Sequence, residues 1–165
     1  MSKRLTPKVF TQSVLRAFMK ESGLEPTLLG ANRFRITDAS NGRVDFELDI
    51  HQNHTNRLQT IHGGTLAAMV DLGGSLAVAS TGRFATGVTT DLNVSYLSPG
   101  GKAGDLLTGT AICDKIGKTL AYTTITFKNS KGQLAARGSH TKYVAGTLGE
   151  DGPFVAPAKY VEELD

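Results

Sequence analysis

Hydrophobic residues near the start of the chain recur every three or four positions, a spacing that predicts a surface helix over residues 7–22. Pro7 suits the first helical turn, and Gly23 lies where the helix would end. We expect this helix to pack on the body of the fold. Its apolar positions are Val9, Phe10, Val14, Leu15, Phe18 and Met19.

Two strands are predicted next, over Phe34–Thr37 and Arg43–Ile50. The residues Ser40–Gly42 between them include an Asn-Gly pair, which favours a tight turn. The second strand alternates apolar and polar residues, as a strand with one buried face does. The pattern therefore indicates a β-hairpin.

A helix over residues 65–80 is apolar nearly all the way round, which is typical of a buried helix. Four strand-like segments follow it, separated by short turns that each contain glycine. We expect an α+β fold in which an antiparallel meander wraps one face around the buried helix, without βαβ units or internal repeats. The four segments are Gly87–Leu97, Asp105–Asp114, Leu120–Asn129 and Gln133–Val144.

The chain has 165 residues, of which 39% are hydrophobic, enough for one core and one domain. We divide it into an N-terminal helical segment (1–30), a main domain (31–145) and a peripheral, loosely held tail (146–165). No segment reaches the roughly 20 apolar residues that a membrane span needs. The sheet would leave its edges exposed, so we expect a strand such as Val88–Leu97 to pair with a second copy in a dimer.

The charge and cysteine content exclude some classes of protein. A net charge of +3, without any run of five basic residues, is too dispersed to indicate nucleic-acid binding. Cys113 is the only cysteine, which excludes an internal disulfide and a thiolate metal cluster and favours a reducing compartment such as the cytoplasm. The first twenty residues are basic without any acid, a composition shared by mitochondrial transit peptides and by amphipathic helices with a basic face. A cytoplasmic location is expected, with the mitochondrion as the alternative, and no metal site is expected.

Asp71 is the only charged residue between Arg57 and Arg83, and it lies inside the apolar helix. Burying an unpaired carboxylate costs several kcal/mol, which is comparable with the total stability of a small domain. The side chain is therefore either paired or functional. Asp71 is therefore the first candidate for a catalytic residue.

His62, Gly63 and Gly64 immediately precede this helix, where the first backbone N–H groups have no partners within the helix and the helix dipole is positive. The amide of Gly63 or Gly64 would suit a carbonyl oxygen that gains negative charge during attack. A flexible entry to a helix would have the same sequence. The motif is therefore either a site that binds an oxyanion or simply a flexible start to the helix.

Asp71 lies about 12 Å along the helix axis from His62, so one chain does not bring both to one reacting atom. A two-fold dimer would solve this if the helix N-terminus of one subunit faced the Asp71 carboxylate of the other, which gives two shared sites. Asn56, in the polar loop before His62, would orient a water or a substrate carbonyl. Its alternative role is that of a simple turn residue.

Several separated motifs resemble those of the hotdog-fold acyl-coenzyme A thioesterases, in particular the branch with the phenylacetate-pathway thioesterases and acyl-CoA thioesterase 13. The resemblance covers about residues 54–142 and keeps the motifs in one order, which makes it more specific than any single motif. It implies the hotdog fold, a long central helix wrapped by an antiparallel sheet, here with an extra N-terminal helix. The motifs are His54-Thr-Asn56, His62-Gly-Gly64, Val70-Asp71, Asp91-Leu-Asn-Val-Ser-Tyr-Leu-Ser-Pro99, Gly117-Lys-Thr-Leu-Ala121 and Gly138-Ser-His-Thr-Lys142.

The resemblance also implies hydrolysis of acyl-CoA to a free acid and coenzyme A by a dimer of dimers. Asp71 would be the base or nucleophile, Gly63 would polarise the thioester carbonyl, and Asn56 would orient the reactants. The eukaryotic branch commonly has a serine where this chain has Thr89, whose hydroxyl would still position water although its methyl group stiffens the side chain. Coenzyme A is part of the substrate, and no further cofactor is implied. Candidates for binding its phosphates are Lys118, His140, Lys142 and Arg83.

Two other functions remain open from the sequence. A hotdog hydratase or dehydratase would act on the acyl chain, although the position of the acid inside the helix after His-Gly-Gly favours hydrolysis. A non-catalytic acyl-CoA binding or sensing module would use Asp71 only as a buried hydrogen-bonding residue. A purely structural oligomer would leave the lone carboxylate unexplained.

Overall fold

The computed structural model describes residues 3–30 and 32–162, in which three helices and six strands are joined by loops and two short 3-10 turns, Gln52–His54 and Ala158–Tyr160. Within these ranges, no helix combines the length and the apolar character needed to cross a membrane. The helices are α1 (Pro7–Glu21), α2 (Leu24–Leu29) and α3 (Gly63–Ala79). The strands are β1 (Phe34–Ser40), β2 (Arg43–Asp49), β3 (Val88–Tyr96), β4 (Leu106–Ile116), β5 (Leu120–Lys128) and β6 (Leu134–Tyr143).

The six strands form one antiparallel sheet in the order β1-β2-β4-β5-β6-β3, and α3 packs against one face of it. This confirms the α+β fold with a buried central helix. The order differs from a simple meander, because β3 pairs with β6 and not with β4. Residues 97–105 connect β3 to β4 and are too many for a tight hairpin turn, so they carry the chain across to place β4 beside β2.

The helix α3 begins at Gly63, two residues before the predicted start, and is buried along most of its length. Glycines on its inner side let it approach the sheet closely. Gly73 lies against Ile125 of β5, and Gly74 lies against Thr123 of β5 and His140 of β6. A β-carbon at Gly74 would overlap the His140 ring and lie 2.7 Å from Thr123 Oγ1. The helix and the sheet therefore leave no room for a methyl group at this point.

Gly74→Ala is expected to lower the free energy of unfolding by about 3 kcal/mol, because the new methyl group overlaps His140 and Thr123 on two central strands. Urea denaturation followed by circular dichroism measures the change. Gly149→Ala is the control, since a β-carbon at Gly149 meets no atom within 4 Å. A Gly74→Ala protein as stable as the parent would mean that α3 stands further from β6 than this structure places it.

The C-terminal tail and α1 pack together over one end of α3. Phe10 of α1 is fully buried, and its ring centroid lies 5.5 Å from that of Phe154 in the tail. Leu5 donates a backbone hydrogen bond to the Phe154 carbonyl. Tyr160 is 3% exposed and stacks on Phe84. The sequence predicts a peripheral, loosely held tail, whereas these aromatic contacts fix its described part to the core.

The strands β1 and β3 form the two edges of the sheet. Most residues of β3 are exposed, and the apolar Val88 is 63% exposed. Unpaired backbone groups and exposed apolar side chains on an edge strand are typical of a surface that pairs with another chain. Pairing of this edge in a dimer stays a prediction.

Candidate active site

Asp71 lies two turns into α3, and its side chain emerges between the helix and strands β3 and β6. The side chain is 48% exposed, so the carboxylate is neither enclosed by the core nor fully solvated. Its Oδ2 accepts a hydrogen bond from Thr89 Oγ1 at 2.9 Å and lies 3.9 Å from His140 Nε2. The lone carboxylate of α3 is therefore partnered through one of its two oxygens.

A chain of hydrogen bonds runs from His140 through Thr89 to Asp71. The Thr89 hydroxyl has one proton, and because an ionised carboxylate only accepts, that proton points at Asp71 Oδ2. Thr89 Oγ1 then accepts from His140 Nε2, 2.7 Å away, which fixes the proton of a neutral imidazole on Nε2. The chain holds Oδ2 in place and leaves Oδ1 for a ligand.

The imidazole of His140 is 1% exposed, and the structure opposes its protonation. Its Nδ1 is buried against Gly74 and has no hydrogen-bond partner among residues 3–30 and 32–162. Burial lowers the pKa of His140 to about 4, although the Asp71 carboxylate favours the charged form and the Lys142 ammonium disfavours it. His140 is therefore neutral at physiological pH.

A β-bulge in β3 turns the Thr89 side chain toward Asp71. The register places Thr89 opposite Lys142 and Asp91 opposite Thr141, so Thr90 is an extra residue. A regular strand sends residues three apart to opposite faces, whereas the extra residue lets Thr89 face α3 together with the apolar residues that follow it. The bulge is therefore what brings the hydroxyl to the carboxylate.

The N-terminal end of α3 presents one free backbone amide. His62 caps the helix, because its Nδ1 accepts a 2.7 Å hydrogen bond from the Gly64 N–H. The Gly64 amide is thus already used, whereas the Gly63 amide has no hydrogen-bond partner in the described ranges. Tyr96 lies over this end and donates its hydroxyl to the Gly63 carbonyl at 2.6 Å. Of the two glycine amides predicted to bind an oxyanion, Gly63 has the one that remains available.

The loop before α3 is held in shape by Asn56 and His54. Asn56 Oδ1 accepts from the backbone N–H groups of Leu58 at 2.9 Å and Thr60 at 3.3 Å, which closes a tight turn. The turn uses the amide oxygen, so only the Nδ2 protons remain for a substrate carbonyl. His54 is buried and donates from Nε2 to the Leu28 carbonyl at 2.5 Å, which fixes α2 to this loop. The sequence motif alone does not separate this structural role of His54 from a catalytic one.

The four basic residues predicted to bind phosphates occupy different environments. Lys118 is exposed in the turn between β4 and β5. Arg83 is half-buried and donates to Thr147 Oγ1 at 3.0 Å. His140 and Lys142 are 1% and 3% exposed, because β6 directs both side chains inward onto α3. Their predicted contact with phosphates conflicts with this burial.

An apolar cavity of about 250 Å³ opens beside Asp71, between α2 and α3. The hydrophobic pattern does not predict α2, because six residues around a proline are too few for a helical period to be recognised. A small apolar cavity beside one oriented polar group suits a ligand with an apolar part joined to a reacting centre. Its lining comprises Leu24, Glu25, Leu28, Leu29, Ala67, Ala68, Asp71, Leu72 and Leu92.

One subunit does not bring the whole predicted site together. Asp71, Thr89 and His140 lie side by side, whereas Gly63 lies eight residues earlier on α3, about 12 Å along the helix axis. His62 lies with Gly63 at that far end. No group of three or more His, Cys, Asp or Glu side chains in the described ranges is arranged to hold a metal ion.

A family model, a sequence relative and solved structures all indicate the same protein family. The family model described as the thioesterase superfamily matches residues 58–136. Human acyl-coenzyme A thioesterase 13 is 37% identical over 134 residues, which are 81% of this chain and 93% of the human protein. The crystal structure of zebrafish thioesterase superfamily member 2 is similar with a TM-score of 0.75 and 33% identity, over 86% of this chain and 99% of that one. A Streptococcus mutans protein bound to acetyl CoA is similar with a TM-score of 0.63 and 26% identity, over 68% and 89% of the two chains.

Proposed function

Because the chain belongs to the thioesterase superfamily and is a thioester hydrolase, we propose that it hydrolyses acyl-coenzyme A to a free carboxylic acid and coenzyme A. The name of the human relative and the acetyl CoA bound to the Streptococcus mutans protein support this substrate class. The observation that carries the proposal is the Asp71 carboxylate, which Thr89 orients at the wall of an apolar cavity. The cavity would take the acyl group.

We propose that each site is shared by two subunits, because Gly63 and Asp71 are about 12 Å apart along the helix of one chain. The exposed edge of β3 would pair with the same strand of a second copy about a two-fold axis. The N-terminus of α3 in one subunit would then face Asp71 of the other, which gives two sites per dimer. A dimer of dimers is the proposed full assembly, and static light scattering measures it.

In the proposed mechanism, the free Gly63 amide and the positive end of α3 stabilise the charge that the thioester oxygen gains during attack. Asn56 would orient this carbonyl through Nδ2. Asp71 acts through Oδ1, either as a base that removes a proton from an attacking water or as a nucleophile that forms a mixed anhydride later hydrolysed by water. Either route breaks the carbon–sulfur bond, and coenzyme A leaves as a thiolate that takes up a proton.

The phosphates of coenzyme A need basic partners, and Lys118 and Arg83 are the predicted candidates that the core does not enclose. Of the two, Lys118 is exposed and Arg83 is half-buried. Coenzyme A is part of the substrate, so the proposed reaction requires no further cofactor.

Thr89→Val is expected to lower kcat for acyl-CoA hydrolysis about 30-fold, because valine fills the same space but neither donates to Asp71 nor accepts from His140. Thr89→Ser keeps the hydroxyl and is expected to retain most of the rate. Release of free thiol from acyl-CoA measures both variants. A valine variant as fast as the parent would reduce Thr89 to an ordinary strand residue.

The proposed function is tested by measuring thiol release from short, long and aromatic saturated acyl-CoAs. A thioesterase releases coenzyme A from at least one of these classes. A hydratase releases no thiol from a saturated acyl-CoA, and a binding module binds the ligands without releasing thiol. Binding of the whole panel without thiol release would overturn the proposal.

A further inference from the structure

Lys142 is a buried cation beside the proposed active site, with 3% of its surface exposed. Its Nζ donates a 2.6 Å hydrogen bond to Ser75 Oγ and forms no ion pair with the residues that the structure describes. Such a position is costly, because the ammonium loses hydration without a carboxylate in contact. A phosphate in solvent does not reach a buried ammonium, so phosphate binding does not account for the position of Lys142.

The geometry of β6 and α3 aligns Lys142 with the hydrogen-bond chain at Asp71. His140 and Lys142 are two residues apart on β6 and point to the same face, while Asp71 and Ser75 are one turn apart on α3. Two neighbouring contacts result, His140 to Asp71 at 3.9 Å and Lys142 to Ser75 at 2.6 Å. The Lys142 ammonium and the His140 imidazole are therefore neighbours on the face of β6 that packs on α3.

We propose that Lys142 is a positioning residue, whose positive charge opposes protonation of His140 at acidic pH and so keeps the hydrogen-bond chain through Thr89 directed at Asp71 over a wider pH range. This inference rests on the proposed function. A protonated His140 would place an Nδ1–H against Gly74, where the described part of the chain offers no acceptor, and would draw the Asp71 carboxylate into an ion pair. A carboxylate engaged in this way is a poorer base and nucleophile.

The other charged groups around His140 favour its protonation, whereas Lys142 opposes it. Asp71 of α3 and Asp91 of β3 favour its protonation, and β5 presents an uncharged threonine there. Lys142 is the neighbouring charge that opposes protonation, in addition to burial. Burial lowers the pKa of Lys142, while Asp71 and Glu25 favour its charged form. Lys142 thus offsets part of the effect of the two carboxylates on His140, and burial supplies the rest.

The inference is tested with Lys142→Met, which removes the charge and keeps a side chain of similar length; apolar replacement of a buried charged group is often tolerated. Nuclear magnetic resonance of the imidazole nitrogens follows the titration of His140, which is one of four histidines and is assigned by its loss in His140→Gln. Removal of a nearby like charge is expected to raise the His140 midpoint by about one pH unit. Ser75→Ala is the matched control, because it removes the hydrogen-bond acceptor and leaves the ammonium in place.

An unchanged His140 midpoint in Lys142→Met would overturn the inference. An equal rise in Ser75→Ala would overturn it too, because the hydrogen bond and not the charge would then be the cause. The acidic limb of kcat/KM for acyl-CoA is expected to move upward with the midpoint in Lys142→Met, and a limb that stays would exclude the positioning role. The titration needs no turnover, so it separates a failure of this inference from a failure of the proposed function.

Discussion

Asp71→Asn is expected to lower kcat for acyl-CoA hydrolysis about a thousandfold, the order of loss that follows removal of a base or nucleophile. The asparagine oxygen can still accept from Thr89, so the hydrogen-bond chain and the fold are kept. The amide neither takes a proton from water nor attacks a thioester. Thiol release at saturating acyl-CoA measures the rate, and calorimetry with coenzyme A measures whether the variant still binds the ligand.

Asp91→Asn is the matched control, because it makes the same chemical change at an exposed position of β3. Its rate is expected to stay close to that of the parent. Both variants are expected to unfold within about 1 kcal/mol of the parent in urea, since neither change creates a cavity or a buried charge. If Asp71→Asn released thiol at the parental rate, Asp71 would have no part in the chemistry and the proposed mechanism would be wrong.

Gly63→Pro is expected to lower kcat about 100-fold, because proline has no N–H to bond the thioester oxygen. The backbone suits the change, since Gly63 is the first residue of α3 and His62 before it is already extended, with φ −69° and ψ 137°. Gly63→Ala is the control that keeps the amide. A β-carbon at this position lies 3.4 Å from the Tyr96 ring, so alanine tests the added carbon without the loss of the donor. Similar rates for the two variants would remove the Gly63 amide from the mechanism.

Mixed dimers of the two variants test the shared site. A dimer of one Asp71→Asn subunit and one Gly63→Pro subunit has one site with both groups intact and one site with neither, if each site uses both chains. The recovered rate is then about half that of the parent dimer. Mixed dimers as inactive as either variant alone would place both groups in the site of a single chain.

The buried helix and its acid could be predicted because both depend on composition over a short stretch. A helix that is apolar all round has to be enclosed, and one carboxylate within it is conspicuous. The four strand segments after it could be predicted for the same reason. The position of β3 beside β6 could not, since it depends on which strands meet in space and not on their spacing along the chain.

The surroundings of Asp71 were only partly predictable. The family resemblance implies basic side chains near the phosphates and so predicts His140 and Lys142 there, whereas the structure buries both. The alternation of β6 contains a signal for burial, because Ala136 and Gly138 share their inward face. The orientation of Thr89 has no such signal, because a bulge is defined by the partner strand and not by the strand that contains it.

The bulge in β3 accommodates one extra residue without changing the face of the sheet on which Thr89 lies. The side chain of Thr90 is exposed, so many residue types would keep the register there. Deleting the position would leave Thr89 two residues before Leu92, and a regular strand sends residues two apart to the same face. The Thr89 hydroxyl would then still face α3 and Asp71, with regular pairing in place of the bulge. Among related sequences, a one-residue gap at position 90 is therefore expected to be compatible with turnover, provided that the candidate active-site residues are retained.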